Sequence, residues 1–210
     1  MAKVEVGEIL YVPQINEVEK NRAREKLENI RKQITEDSID FAELAKKYSD
    51  DLGSGRLGGD LGWQKRGTFV PEFEAVAYSL KKGEMSEITE SEFGFHLIEL
   101  LERRGNTIHA RHILIKPEIT QVDIDKAKNE LDSIRNLIVV DSMDFVRAVK
   151  KFSNKNASSF HNNGRMTNPA SQSTFFETKD LSPEIYFAIE DLKVGELSEV
   201  IEFTDQTGET

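Results

Sequence analysis

Between Gly58 and Phe73 lie the chain's single tryptophan, Trp63, the phenylalanines Phe69 and Phe73 on either side of Pro71, and glycines that permit tight reversals. Leu61, Phe69 and Phe73 can converge on one apolar concavity where a strand, a loop and a helix meet. Such a hollow binds by burying an apolar group and needs no covalent chemistry. The same three positions also suit ordinary core residues. His96, on an apolar strand, fits equally a buried histidine bonded to backbone.

Other chemistries lack their residues. There is no cysteine, so disulfides, thiolate catalysis and Cys-based zinc sites are excluded. No Gly-x-Ser-x-Gly elbow, His-Glu-x-x-His pair or P-loop occurs. Gly53-Ser54-Gly55-Arg56-Leu57-Gly58 satisfies the dinucleotide-binding pattern but follows a helix, so no βαβ unit frames it. His109 and His112, three apart on a strand, point to opposite faces and cannot share a metal from it. No metal or cofactor is expected.

The elements that must position these residues read as follows. Val4 to Val12 is a strand ending at Pro13. Asn16 with Glu19 makes a capping box for a helix striped by Ala23, Leu27, Ile30 and Ile34. Asp40 with Glu43 opens a second helix, with Phe41, Leu44, Ala45 and Tyr48 inward. Leu61 to Lys65 reads as a strand, Pro71 as the first residue of a helix stopped by Gly83, and Gly94 to Arg103 as a closing strand. This is an α+β unit around an antiparallel sheet.

The plan then repeats. Glu8-Ile9-Leu10 with Pro13 returns as His112-Ile113-Leu114 with Pro117, and Asp40-Phe41 with Lys46-Lys47-Tyr48-Ser49 as Asp144-Phe145 with Lys150-Lys151-Phe152-Ser153. Pro71-Glu72 with Gly83-Glu84-Met85-Ser86-Glu87 returns as Pro183-Glu184 with Gly195-Glu196-Leu197-Ser198-Glu199, after a longer loop. A period of about 100 residues is a domain duplication. The expected domains are 1–104 and 105–210, with almost no linker at Gly105-Asn106. Hydrophobic residues at 38% and charged residues at 31% favour two modest cores over one large one. A net charge of -10 argues against nucleic acid, and no run is long enough to span a membrane.

The Gly58–Phe73 segment, with Phe41-Ala42-Glu43-Leu44-Ala45 and Tyr48-Ser49-Asp50 before it and Phe93-Gly94-Phe95-His96-Leu97-Ile98 after it, resembles a parvulin-type peptidyl-prolyl cis/trans isomerase domain. The resemblance covers residues 4 to 104 in order and spacing. It implies two parvulin-like domains, each a four-stranded antiparallel sheet with surrounding helices. In the first, it implies a proline cup of Leu61, Phe69 and Phe73 with Phe93 at the rim, backed by a hydrogen-bonded cluster at Glu8, Asp51 and His96. The family's first histidine is replaced by Glu8, so two carboxylates face one imidazole. A protonated His96 paired with Glu8 is the expectation.

In the second domain the resemblance implies a degenerate site: His112 is present, but Lys155 stands for Asp51, Met166 for Leu61, Leu181 for Phe69 and Ile185 for Phe73. The closing strand is expected beyond Thr210. The implied function is isomerisation of X-Pro bonds in unfolded clients by a SurA-like periplasmic folding factor whose signal peptide is not in this chain, with activity in the first domain. Its rival is a non-catalytic chaperone module gripping extended segments that contain proline or aromatic residues. The loop Tyr11-Val12-Pro13-Gln14-Ile15-Asn16 has no positive charge, so phosphate-specific recognition is not expected.

Overall fold

The structure, a computed structural model, describes residues 3–203. It divides into two compact units, Ile15–Ile119 and Met1–Gln14 with Thr120–Thr210. These are not the expected 1–104 and 105–210. The N-terminal segment belongs with the second half, and residues 105–119 belong with the first.

The cause is a tight turn. Gly105-Asn106, expected as the boundary between the two domains, joins two paired strands, with Arg104 opposite Thr107 and Gly105 at φ 58°. A two-residue loop with a left-handed residue suits the twist of an antiparallel hairpin. The chain therefore turns back into the same sheet instead of leaving it.

In unit 15–119 the elements are α1 (Glu17–Thr35), α2 (Phe41–Tyr48), the single turn α3 (Leu52–Gly55), β2 (Asp60–Lys65), α4 (Pro71–Ser79), β3 (Thr89–Ser91), β4 (Gly94–Arg104) and β5 (Thr107–Ile115). The strands form an antiparallel sheet in the order β2-β5-β4-β3. Both expected N-caps are made: Asn16 accepts from the Glu19 N–H at 3.0 Å and Asp40 from the Glu43 N–H at 3.1 Å. Pro71 is the first residue of α4, where its missing N–H costs no bond.

Strand alternation divides the core in two. Phe95, Leu97, Ile113 and Ile115 face α1 and α2, where Leu27, Ile30, Phe41 and Leu44 cover them. Ile98, Leu100 and Ile108 face α4 and pack with Phe73, Ala77 and Leu80. Covered on both faces, β4 is buried almost throughout its first seven residues, which explains its near-continuous apolar sequence.

In the other unit, β1 (Lys3–Glu5) pairs antiparallel with β6 (Phe175–Glu177), beside α5 (Gln121–Val139), α6 (Phe145–Phe152) and α7 (Pro183–Ile189). Among the described residues this sheet has two strands, extended by an isolated bridge between Gly7 and Arg165. Its small core joins Val6, Phe176 and Leu181 with Met166, Ile185, Tyr186 and Ile189. The expected closing strand lies outside the described residues.

Gly59 sets how closely β5 approaches the preceding loop. Its φ is 82°, and a Cβ there would lie 2.2 Å from the His112 carbonyl oxygen. Gly62, at φ 67°, has nothing within 4 Å of the same position. Gly62→Ala is therefore expected to cost only backbone strain, about 1–2 kcal/mol. Gly59→Ala should cost at least about 2 kcal/mol more, because β5 must move. Urea midpoints of the two variants check this, and equal losses would show that the close approach is absent.

Candidate active site

The chemistry gathers on the α4 face of β4 and β5. His96 on β4 and His112 on β5 share that face, buried to 3% and 6% exposure. Their rings stack at 17° with centroids 5.5 Å apart, and their Nδ1 atoms are 3.2 Å apart. His112 Nε2 lies 2.8 Å from Asp51 Oδ2, and His96 Nε2 lies 2.7 Å from Ser91 Oγ.

Asp51 is held by its role as N-cap of α3. Its Oδ1 accepts from the Gly53 and Ser54 N–H groups, and the Ser54 hydroxyl donates to its Oδ2. Burial raises the Asp51 pKa, but hydrogen bonds from Ser54 and His112 outweigh it and bring it down to about 2. Burial drives His96 down to about 4, helped by the neighbouring His112. It also lowers His112, against the pull of Asp51.

Both imidazoles are therefore neutral at pH 7, and one tautomer pair satisfies every contact. His112 donates Nε2–H to the Asp51 carboxylate and accepts at Nδ1 from His96. His96 then accepts at Nε2 from the Ser91 hydroxyl, whose oxygen takes the Phe93 N–H at 3.1 Å. The expected protonated His96 is corrected here: burial without an adjacent carboxylate wins over the charge attraction inferred from Glu8.

The apolar residues stand over this network. Phe73, 2% exposed, meets His96 and His112 edge-on, with centroids 5.3 and 5.6 Å away and interplanar angles of 84° and 80°. Phe69 packs on Phe73 at 4.6 Å. Leu61 and Phe69 are half-buried against the same cluster, while Phe93, at 52% exposure, stands in the β3–β4 turn. Leu61 and Phe69 form a half-exposed apolar shelf here, with Phe73 almost fully buried beneath them. A separate groove on α1 and α2, lined by Arg22, Lys26, Gln33 and Tyr48, contains none of these residues.

Of the residues singled out from the sequence, Asp51, His96, Leu61, Phe69 and Phe73 are brought together. Glu8 is not: it lies in the other unit, where its N–H donates to the Gly164 carbonyl at 2.8 Å. Its expected place is filled by His112, which had been assigned to the second domain's residual site. Met166, Leu181 and Ile185 do meet, but as part of a small core with Val6 and Phe176. Ser91 and Ser54 were missed. The signal for His112 was the pairing of two strand-like runs across Gly105-Asn106, a hairpin pattern.

The PPIC-type PPIASE (rotamase) domain model matches residues 9–102 and again 112–207. The chain belongs to this family. Along the sequence, the PPIC-type repeats run in tandem, whereas in space each unit takes the first strand of the other repeat. A protein called chaperone SurA from Albidiferax ferrireducens is 50% identical over 96 residues, covering 46% of this chain and 20% of that protein. The chaperone SurA of Saccharophagus degradans is 52% identical over 83 residues, covering 40% and 19%. The chain thus spans about a fifth of the length of these relatives. Among solved structures, PrsA from Bacillus cereus is 26% identical with a TM-score of 0.35, covering 76% of this chain and 55% of its own.

Lowered imidazole pKa values have a defined consequence for stability. A histidine at about 4 in the folded state and about 6.5 when unfolded binds its proton more readily unfolded. Its contribution is full above pH 6.5 and is lost as pH falls toward 4. The expected loss from His96 is about 3 kcal/mol. Denaturant unfolding across this range, with imidazole NMR titration placing His96 near 4, checks the assignment. A His96 midpoint near 6.5 would contradict it.

Proposed function

We propose that the shelf of Leu61, Phe69 and Phe73 binds the proline of an extended client and accelerates isomerisation of the preceding peptide bond. The observation carrying this reading is the contact of Phe73 with both members of a neutral, fully bonded imidazole pair. Peptide isomerisation has a barrier of roughly 18–20 kcal/mol, set by amide resonance. The planar amide is charge-separated and well solvated; the twisted amide is less so. Moving it from water to an apolar shelf therefore favours the twisted state. Catalysis is then differential binding, with no covalent step.

His96 and His112 act as positioning residues in this scheme. Neutral rings add no charge beneath the shelf, and bonds from Asp51 at one end to Ser91 at the other fix them under Phe73. Phe93, at the edge of the shelf, contacts the chain flanking the proline. Unfolded polypeptides with X-Pro bonds are the proposed clients, in a periplasmic setting suggested by the resemblance to SurA-like folding factors. Activity resides in unit 15–119. The competing reading, a chaperone module without turnover, draws on the exposed Phe175 and Phe187 of the other unit, at 52% and 67%.

NMR exchange on a proline tetrapeptide separates these readings. Phe69→Ala removes half-buried surface from the shelf and should lower kcat/KM by about tenfold or more while the thermal midpoint changes little. Phe73→Leu should lower it further, with His112→Phe reducing turnover through the shelf's support. Binding of the peptide with no line broadening from exchange, in the unaltered protein, would favour the chaperone module and rule out the isomerase.

A further inference from the structure

Two segments of this chain fill slots of the same design. In unit 15–119, the His112 N–H donates to Gly59 O at 2.9 Å, the Asp50 N–H to Leu114 O at 2.8 Å and the Leu114 N–H to Ser49 Oγ at 3.1 Å. In the other unit, the Glu8 N–H donates to Gly164 O at 2.8 Å, the Asn154 N–H to Leu10 O at 2.7 Å and the Leu10 N–H to Ser153 Oγ at 3.0 Å. The Gly7–Arg165 bridge likewise repeats the pairing of Asp60 with Arg111. Bond for bond, the backbone does not distinguish Glu8-Ile9-Leu10 from His112-Ile113-Leu114. The family matches, 9–102 and 112–207, nevertheless begin within these segments, at Ile9 and His112, so that each segment opens the repeat that follows it in sequence.

We propose that these strands are alternative occupants of both slots, so that the protein interconverts between the exchanged topology seen here and a chain-ordered one. The exchange is an on–off device for the site: His112 completes the network against Asp51, and Glu8 in its place breaks it. The consequence for activity rests on the isomerase reading above, whereas the topology itself does not.

Side chains set the balance. In the chain-ordered form the Glu8 carboxylate enters a place where His112 is 6% exposed and faces the Asp51 carboxylate, which disfavours both charges. Tyr11 would take the place of Ile115, which is 2% exposed against Phe41 and Leu44, and overpack that core. In the exchanged form Glu8 and Tyr11 are only half-buried, and Tyr11 donates its hydroxyl to Glu130. The exchanged form is the more stable of the two, by side chains alone.

The cysteine-free sequence makes the test direct. Glu102 pairs with His109 in the exchanged sheet, and Glu5 holds the position equivalent to His109 on the rival strand. Glu102→Cys with His109→Cys should close its disulfide at once on oxidation and retain turnover. Glu102→Cys with Glu5→Cys should close slowly within one chain, with turnover falling about tenfold in step and returning on reduction. Adding Glu8→Gln, which removes the repelling charge, should speed that closure about tenfold. Failure of the 5–102 link, or its formation only between chains, while the 102–109 link closes, overturns the proposal. If neither link closes, saturation-transfer NMR on the imidazoles of the Glu8→Gln variant decides: a minor exchanging set for His96 and His112 supports the proposal, and its absence overturns it. Closure of the 5–102 link in a protein with no turnover in any form would retain the switch and dismiss the isomerase.

Discussion

The 2.8 Å contact between His112 Nε2 and Asp51 Oδ2 is the constraint on which the rest of the site depends. It fixes which nitrogen of His112 carries the proton, and that choice passes through the 3.2 Å Nδ1 pair to His96 and on to Ser91. Without the carboxylate, two buried imidazoles at this separation have no preferred direction of donation. Asp51 in turn is placed by backbone, because capping a four-residue helix leaves its second oxygen aimed at β5. A polar chain five side chains long is thereby satisfied inside an apolar face, where an unpaired member would be costly.

The neutral state of the two imidazoles follows first from their burial, which outweighs the pull of Asp51. One acid, held near pKa 2 by its donors, anchors the network without protonating it. The rings beside Phe73 then have their polar atoms spent on each other, on Asp51 and on Ser91.

Much of this was legible before the fold was known. The stripes on α1 and α2, both N-caps and Pro71 at the start of α4 follow from local periodicity and turn chemistry, which act over a few residues, whereas the grouping of Leu61, Phe69 and Phe73 rests on the family resemblance. The pairing of the repeats' first strands is not legible in the strands themselves, since Ile9-Leu10 and Ile113-Leu114 present the same side chains to the same backbone partners. Which sheet each joins is decided by a two-residue turn and by non-local terms such as the fit of Ile115 against Phe41. The charge expected of His96 depends on the same pairing, because Glu8, the neighbour that would protonate it, belongs to the other unit.

The chain crosses from one unit to the other near Gln14 and again near Ile119, and this has a consequence for biosynthesis. A ribosome releases Lys3–Glu5 long before Phe175–Glu177, the strand with which it pairs. When residues up to about Arg104 have emerged, the empty position beside β4 and the waiting N-terminal strand are both available, and β5 is still inside the tunnel. Vectorial emergence thus presents the partners in the opposite order from the finished sheet, and the rate of translation through Thr107–Ile115 becomes a factor in which pairing is reached first.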